Sequence, residues 1–315
     1  MPAIYVPSVL PHLRRWREAG QRTALVTMIG TDGSSPRPLG SQMAITESGE
    51  AVGNITGGCA EAAIIAEAQN CMARNANRSV RYGAGSPYID IRLPCGSGID
   101  VYFDVNFEDA VLTQLLHAHA SRLPAALTID PVRHAVVAVV GEAEAGISAT
   151  PDTFTRAYLP TPRLVVVGKG PTVPILARLA AAADFGVIAL SSEHETLEVT
   201  AAHALRAEYL ATPASYAFND YDPWTAFVSL FHEHEWEPTI LAQVLSSNCF
   251  YIGALGSKRT HEVRIANLRA LGVADDLIAR IRAPVGLKLG GKNPPEIALA
   301  ILAEIVQVQC AQTRT

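Results

Sequence analysis

The chain has 315 residues, of which 49% are hydrophobic and 17% charged, and its formal net charge is −5. This composition is typical of a folded protein of one or two domains and excludes an intrinsically disordered chain. The acidic balance and the lack of a basic run exclude a broad nucleic-acid surface. Five irregularly spaced cysteines predict reduced thiols and a cytoplasmic protein. We expect neither a signal peptide nor a membrane-spanning segment.

Short strands and helices follow one another in the first half of the chain, in an order typical of an α+β domain. Helices are predicted over 8–19, 60–73 and 108–121, and strands over 22–29, 42–46, 51–56, 99–104, 125–129 and 135–140. These elements predict an N-terminal α+β domain over residues 1–145. Residues 146–159 are rich in turn formers and are predicted to be a linker.

The second half of the chain has a different pattern. Leu164-Val165-Val166-Val167 is a continuous apolar run, as expected of a parallel strand that is buried on both faces. Similar runs over 187–190, 226–231 and 250–255 alternate with helical stretches. Residues 160–315 are therefore predicted to form a C-terminal, Rossmann-like doubly wound parallel sheet, and the chain belongs to the α/β class.

Two cysteines lie beside glycines, in Gly57-Gly58-Cys59-Ala60-Glu61 and in Pro94-Cys95-Gly96. Because glycine leaves the neighbouring backbone bare, a bulky ligand can approach such a thiol closely. The start of a helix, where Cys59 is predicted to lie, favours a thiolate that acts as nucleophile, sulfur carrier or metal ligand. The alternative is that both cysteines are small buried residues. We expect the two sulfurs to converge in one glycine-lined hollow.

Arg37 lies in a loop between two prolines and close to Ser35. The prolines stiffen the backbone and hold the guanidinium in place, and arginine binds phosphate through two parallel hydrogen bonds. The loop is therefore a candidate phosphate site. A solvated arginine in a rigid turn is the alternative.

Gly168-Lys169-Gly170 follows a predicted strand and opens a helix, which is the setting of a dinucleotide fingerprint. The fingerprint is incomplete, because Val173 takes the third glycine position and Ser191-Ser192 stand where an acidic residue binds the ribose. The turn therefore predicts the fold more specifically than NAD(P) binding, although its amides and Lys169 suit a phosphate. Ser257-Lys258-Arg259 begins another helix and is a second candidate anion site, with a solvated basic turn as the alternative.

His232 and His234 follow a predicted strand at the edge where open α/β sheets bind ligands. Further metal ligands are not identifiable nearby, and the cysteines do not have zinc-site spacing. We therefore expect polar loop residues here, no metal site and no catalytic residue.

Several ordered blocks of residues together resemble one known family. The blocks are GSSPRPLG at 33–40, GGCAE at 57–61, PCG at 94–96, YIGALGSKR at 251–259, PVGL at 284–287 and PEIALAILAEI at 295–305. They resemble the XdhC/CoxI family, accessory proteins for the maturation of molybdenum hydroxylases such as xanthine dehydrogenase. The resemblance spans most of the chain and implies an N-terminal family domain followed by a Rossmann domain.

The resemblance also implies a function. Such a protein is a chaperone that binds the molybdenum cofactor (molybdopterin) as cargo and protects it while a cysteine desulfurase installs a terminal sulfur. It then inserts the cofactor into an apo molybdenum hydroxylase, and members of the family are often dimers, so a homodimer is expected. The implied cofactor-binding residues are Ser35, Arg37, Gly57, Gly58, Cys59, Glu61, Cys95, Gly96, Gly168, Lys169, Gly170, Ser257, Lys258 and Arg259.

The chain departs from the family pattern in its Rossmann half. Members commonly show Gly-Ala-Gly-His where this chain has 168–171, an acidic pair in place of Ser191-Ser192, and an acidic residue in place of Lys288. Two other functions stay open: an NAD(P)-dependent oxidoreductase, favoured by the Rossmann half alone, and a nucleotide-utilising transferase acting on the pterin phosphate. The second of these is favoured by Lys169, Lys258 and Arg259.

Overall fold

The structure is a computed structural model, and it describes residues 6–35, 37–86, 96–141, 146–150, 152–203, 205–231 and 236–312. The chain divides into two units, Met1–Pro160 and Thr161–Thr315. Each unit has its own sheets and its own core.

The N-terminal unit contains two antiparallel sheets and three helices among its described residues. The helices are α1 (Leu10–Glu18), α2 (Glu61–Arg74) and α3 (Asp109–Ala120); the strands are β1 (Thr23–Asp32), β2 (Gln42–Thr46), β3 (Ala51–Gly53), β4 (Arg78–Gly83), β5 (Gly98–Asp104), β6 (Ala125–Asp130), β7 (Ala135–Val140), β8 (Ile147–Ala149) and β9 (Phe154–Tyr158). Five strands form one sheet in the order β3-β2-β1-β5-β4, and four form the other in the order β7-β6-β9-β8.

Alternating side chains give the five-stranded sheet two buried faces, because successive residues of a strand point to opposite sides. Val26 and Met28 of β1 pack with Ile64 of α2 in one core cluster. Leu25 of β1 packs with α1, α3 and the four-stranded sheet in another, which includes Trp16. The sheet is therefore the central layer of this unit, and α2 covers one of its faces.

The predicted linker over 146–159 differs from the structure, which places β8 and β9 in this range. Strand β9 pairs antiparallel with β6 along 125–129, and β8 pairs with β9. Phe154 is fully packed in the core of the N-terminal unit. The segment is therefore part of the N-terminal unit: β8 is the edge strand of the four-stranded sheet, and β9 lies between β6 and β8.

The C-terminal unit is built on one parallel sheet. Its elements are β10 (Arg163–Gly168), α4 (Thr172–Ala182), β11 (Gly186–Ser191), α5 (His194–Ala201), β12 (Arg206–Tyr209), β13 (Thr225–Leu230), α6 (Glu237–Leu245), β14 (Tyr251–Ala254), α7 (Lys258–Ala270), α8 (Asp275–Ile278), β15 (Ile281–Arg282) and α9 (Pro294–Gln312). The strand order is β12-β11-β10-β13-β14-β15. This is the order of a Rossmann-type sheet, with its topological switch point between β10 and β13.

Helices cover both faces of this parallel sheet. On one face Val165 and Phe227 pack with α6 and α7, and on the other Val166 packs with α4 and α9. Burial on both faces explains the continuous apolar runs of these strands. The predicted α/β class, with an α+β unit followed by a doubly wound parallel sheet, is confirmed.

Helix α9 is apolar over much of its length. Residues Pro294–Ala311 are long and apolar enough to cross a bilayer, which differs from the expectation drawn from the sequence, and they are the one such segment among the described residues. Length and composition also fit the core helix of a folded domain. Ala298, Ile301 and Ile305 are fully buried in the core that α9 shares with α4.

Candidate functional site

Cys59 lies on an exposed turn that leads from β3 into α2. Gly57 and Gly58 precede it with φ of 78° and 111°. Residues with a side chain rarely adopt these dihedrals, so the glycines are needed for the path of the backbone. A Cβ at Gly58 would meet no atom within 4 Å, which leaves the space beside the thiol open. The turn therefore presents Cys59 to solvent beside a bare stretch of backbone at Gly57 and Gly58.

The Glu61 carboxylate holds this turn together from the inside. Its Oε1 accepts hydrogen bonds from the backbone amides of Ile55 (3.3 Å) and Thr56 (2.7 Å). Its Oε2 accepts from the Thr56 hydroxyl (2.5 Å), from the Gly58 amide (2.7 Å) and from the Ala60 amide (3.3 Å). Only 7% of Glu61 is exposed. Glu61 is thus a positioning residue for the cysteine turn, and its carboxylate faces the backbone.

These contacts also set the ionisation of Glu61. Burial raises the pKa of the carboxyl, but the hydrogen bonds from Thr56 and Gly58 outweigh burial and hold the pKa below its ordinary value. Hydrogen bonds to the charged form of an acid favour that form. Glu61 is therefore a carboxylate at neutral pH, and its position in the first turn of α2 suits the helix dipole.

The other described cysteines differ from Cys59. Cys71 and Cys249 are buried in the two cores, and burial raises the pKa of each to about 11. Because a buried thiol that stays protonated is unreactive, we interpret both as packing residues. Cys310 is exposed on α9. Cys95 lies outside the described residues, so its predicted convergence with Cys59 stays a prediction.

The start of the Arg37 loop, at Gly33, lies beside Ser97, the residue after Gly96. Asp32 at the end of β1 pairs with Gly98 at the start of β5. A Cβ at Gly33 would lie 3.4 Å from the Cβ of Ser97. The antiparallel pairing of β1 and β5 therefore brings together two motifs that are far apart in the sequence.

Ser35 and Arg37 are hydrogen-bonded to each other, and Arg37 also lines a pocket. The Arg37 amide donates to the Ser35 hydroxyl at 3.5 Å, and that hydroxyl lies 3.8 Å from the sulfur of Met28. Arg37 lines a pocket of about 320 Å³ together with Asn54. Asn54 Oδ1 accepts a hydrogen bond of 2.7 Å from the Gly57 amide. The wall of this pocket thus continues into the cysteine turn.

The glycine turn of the Rossmann unit has a carboxylate at its amides. The Gly170 amide donates to Glu193 Oε2 and to the Thr196 hydroxyl, both at 3.1 Å, and this hydroxyl donates to the same carboxylate at 2.8 Å. Gly168 lies at the end of β10, where a Cβ would be 2.8 Å from Leu230. Gly168 is therefore required by strand packing, and Glu193 takes an amide that would otherwise suit a phosphate.

Ser257, Lys258 and Arg259 begin α7, as predicted. The Ser257 hydroxyl accepts from the Thr260 amide at 3.2 Å, and the Thr260 hydroxyl accepts from the Ser257 amide at 3.3 Å. This reciprocal pair is a capping box, so the Ser257 side chain is engaged by its own helix. Lys258 and Arg259 are exposed.

A buried ion pair lies behind this loop. Arg264 on α7 is 1% exposed and donates to the Glu237 carboxylate from Nε at 2.8 Å and from Nη2 at 3.2 Å. Arg264 Nη2 also donates to the carbonyl of Leu255 at 2.6 Å, and Ser229 donates to Glu237 at 2.7 Å. The pair fixes the end of β14 to α6 and α7.

The predicted site residues fall in two separate groups. Ser35, Arg37, Gly57, Gly58, Cys59, Glu61 and Gly96 belong to the N-terminal unit, and Gly168, Lys169, Gly170, Ser257, Lys258 and Arg259 belong to the C-terminal unit. His232 and His234 lie outside the described residues. Within the described part of the chain, no three His, Cys, Asp or Glu side chains form a group that could hold a metal ion.

Sequence reasoning missed two contacts of the site. Asn54 lines the pocket and holds the cysteine turn, and a polar residue just before a glycine-rich turn is the signal that could have indicated it. Glu193 directly follows Ser191-Ser192 in the sequence, but its hydrogen bond to Gly170 spans 23 residues and has no local signal.

The fold and the site define a class of protein: an α+β unit with an exposed, preorganised cysteine turn, joined to a Rossmann unit. The XdhC and CoxI family model matches residues 16–83, and the XdhC Rossmann domain model matches residues 164–305. The chain therefore belongs to the XdhC and CoxI family, which confirms the resemblance of its motifs.

Relatives extend the match over nearly the whole chain. The molybdenum cofactor insertion chaperone PaoD of Escherichia coli (strain K12) is 33% identical, over 93% of this chain and 86% of its own length. A probable xanthine dehydrogenase subunit of Bacillus subtilis (strain 168) is 24% identical, over 93% of this chain and 94% of its own. A crystal structure described as a xanthine dehydrogenase from Bacillus halodurans has a TM-score of 0.74 at 23% identity and covers 96% of both chains. At this identity the structural likeness establishes the fold.

Proposed function

We propose that this protein binds the molybdenum cofactor and inserts it into an apo molybdenum hydroxylase of the xanthine dehydrogenase type. The protein performs no turnover of its own: it protects the bound cargo while a cysteine desulfurase supplies the terminal sulfur. Family membership and the likeness to the insertion chaperone PaoD support this proposal. A cytoplasmic homodimer is the form in which we expect it to act.

The observation that carries the proposal is the exposed Cys59 thiol on a turn that Glu61 prearranges. Five hydrogen bonds to one carboxylate fix the backbone on both sides of a thiol whose own side chain faces solvent. A preorganised turn loses little conformational entropy when a ligand binds, which raises affinity without new contacts. Such a turn suits a thiol that must contact the metal or sulfur end of a cargo and then release it.

Cofactor retention tests the proposal. The full chain is incubated anaerobically with molybdenum cofactor and passed over a gel-filtration column, and molybdenum and pterin are measured in the protein peak. We expect stoichiometric retention by the wild type and at least tenfold less by Cys59→Ser. Cys310→Ser is the matched control, because Cys310 is also exposed but lies on α9. Equal retention by both variants removes Cys59 from the site, and no retention by the wild type overturns the proposal.

The nucleotide-dependent alternatives have less support in the geometry. The Gly170 amide already donates to Glu193 and Thr196, so a phosphate would have to displace a carboxylate from this turn. The phosphate and the Glu193 carboxylate are both anions, so they cannot bind the same amide together. An NAD(P)-dependent oxidoreductase and a nucleotide-utilising transferase both need that position to be open.

A further inference from the structure

The pocket of about 320 Å³ in the N-terminal unit lies between its two sheets. Its wall combines apolar side chains with a set of polar residues: Ser8, Arg37, Ser41, Gln42, Asn54 and Arg156. The volume is about ten times the ~30 Å³ that a water molecule takes in the liquid and is at the lower end of the ~300–1,000 Å³ range of ligand pockets. The pocket is therefore large enough for a phosphate and part of the group that carries it.

A buried hydrogen-bond network fixes the base of the pocket. Gln42 Nε2 donates to the Thr27 hydroxyl at 3.0 Å, across the β1–β2 pair. Gln42 Oε1 accepts from the Tyr158 hydroxyl at 2.9 Å and from Arg156 Nη1. Burial raises the pKa of Tyr158, so its hydroxyl stays protonated and can donate. Every polar atom of the Gln42 side chain is thus engaged, and its amide orientation is determined.

This network holds the Arg156 guanidinium at the pocket without neutralising it. The guanidinium lies over the Tyr158 ring at 4.6 Å from the centroid and donates to a neutral amide oxygen. Within the described ranges it has no ion pair with a carboxylate. A stacked, tethered guanidinium keeps its remaining N–H groups in a fixed fork. Arg156 is therefore a cationic donor that the fold has positioned in advance.

The electrostatic character of the pocket follows from its wall. Arg37 and Arg156 both line it, and none of its lining residues in the described part of the chain is acidic. The whole chain, by contrast, has a net charge of −5. Guanidinium groups bind oxyanions through charge-assisted, often bidentate hydrogen bonds, so a wall with two arginines suits an oxyanion.

Two of the residues that line the pocket are glycines at closely packed positions. A Cβ at Gly53 would lie 2.2 Å from the carbonyl oxygen of Gln42 and 2.8 Å from Val9. A Cβ at Gly40 would lie 3.0 Å from Ile147 and 3.6 Å from Arg156. A side chain at Gly53 would disturb the pairing of β2 with β3, and one at Gly40 would press against the four-stranded sheet. The close approach of the two sheets therefore depends on Gly40.

We propose that this pocket binds a phosphate ester, held by the guanidinium groups of Arg156 and Arg37. The identity of the ester rests on the proposed function: it is the phosphate of the cofactor cargo. Asn54 joins the pocket to the cysteine turn through its hydrogen bond to Gly57, so one cargo molecule spans from its phosphate at Arg156 to its metal end at Cys59.

Titration of the full chain with inorganic pyrophosphate tests the pocket without the cofactor. Calorimetry should give saturable binding that weakens at least tenfold in Arg156→Gln, and malonate should bind more weakly than pyrophosphate. Arg133→Gln is the matched control, since Arg133 carries the same charge in the same unit with a side chain that is 85% exposed. Ser8→Asp is a second variant: it keeps an acceptor for the Leu10 amide and adds a carboxylate to the pocket wall. It should also weaken binding at least tenfold, even if Arg156→Gln fails to fold.

The outcomes separate this proposal from the proposed function. Pyrophosphate binding that neither Arg156→Gln nor Ser8→Asp weakens, or tighter binding of malonate, overturns the phosphate pocket. If the wild type retains molybdenum cofactor and Arg156→Gln retains it equally, the pocket proposal fails and the carrier function stands. If the wild type retains no cofactor but pyrophosphate binds as expected, the carrier function fails and a phosphate site remains.

Discussion

The carboxylate of Glu61 accepts a hydrogen bond of 2.7 Å from the backbone amide of Gly58, the residue directly before the exposed Cys59. Gly58 has a φ of 111°, so the turn depends both on a missing side chain and on a buried acceptor. The sequence associates Glu61 with cofactor binding. In the structure Glu61 acts indirectly, because it shapes the backbone that presents the Cys59 thiol.

Glu61→Gln should lower the unfolding free energy by about 2–3 kcal/mol. The amide NH₂ of glutamine is a donor, and it would face the Thr56 hydroxyl and the Gly58 amide, which leaves buried donors without an acceptor. Urea unfolding measures the loss. The rate at which Cys59 reacts with a thiol reagent should also change, because its turn is no longer fixed. Glu47→Gln, at an exposed position in the same unit, should change neither quantity; equal effects of both variants would mean that charge alone is responsible.

The contribution of Glu61 should also depend on pH. Its pKa is lower in the folded chain than the ordinary value of 4.5, so the unfolded chain binds the proton more readily. The stabilisation is therefore fully present above pH 4.5 and is lost as the pH falls through the folded pKa. The difference in unfolding free energy between wild type and Glu61→Gln, measured from pH 7 down to pH 3, should shrink over that range. A difference that stays constant would contradict an ionised Glu61.

The contribution of Asp104 to stability should change with pH in the opposite direction to that of Glu61. Burial raises its pKa to about 6, so in the range from 3.8 to about 6 the folded chain binds a proton that the unfolded chain has lost. Stability contributed by this group falls as the pH rises through that window. Asp104→Asn keeps an acceptor for the Asn106 amide and removes the buried charge, so it should gain stability relative to the wild type between pH 4 and pH 7. Thermal unfolding of both proteins across this range, with Asp152→Asn as an exposed control, measures the gain; a flat difference would contradict the shift.

The Rossmann unit was the part of the fold that the sequence predicted most fully. Strands such as β10 and β13 are buried on both faces, so their apolar runs are continuous and have few other interpretations. Strands β4 and β12 were not predicted. Both contain arginine and are partly exposed, so their alternation is weak. Strand β9 was assigned to a linker for the same reason, because Phe154 is its one fully buried residue.

The site was predictable only where its parts are local. Local residues determine the cysteine turn: Gly57 and Gly58 allow the positive φ, and the helix begins just after Cys59. The pocket could not be predicted in this way, because Arg156 and Gln42 are 114 positions apart in the sequence and belong to different sheets. Such a contact depends on how two sheets pack, and no periodicity in the sequence encodes it.

Glu193→Ala should open the glycine turn of the Rossmann unit to phosphate. Removing this carboxylate takes the negative charge away from the Gly170 amide, just before α4, and leaves the neutral Thr196 hydroxyl as its acceptor. An anion is favoured at such a helix start. We expect the affinity for ADP, measured by calorimetry, to rise at least tenfold over the wild type. Glu195→Ala is the control, because Glu195 has the same charge in the first turn of α5. Unchanged affinity in Glu193→Ala would show that features other than this carboxylate exclude nucleotides.

Arg264→Met should destabilise the chain by about 3–5 kcal/mol, since it leaves Glu237 charged and unpaired in the core. The double variant Arg264→Met/Glu237→Leu should recover most of this loss, because a buried ion pair replaced by apolar residues is often close to neutral. Arg269→Met on the same helix is the control, because its pair with Asp275 is exposed to solvent and contributes little to stability. Urea unfolding of the wild type, Arg264→Met, Glu237→Leu and the double variant, with Arg269→Met alongside, completes a double-mutant cycle in which additive losses for Arg264 and Glu237 would contradict the coupling. The Leu255 carbonyl loses its Arg264 donor in Arg264→Met and in the double variant. Any change in the Ser257 turn should therefore appear equally in these two proteins.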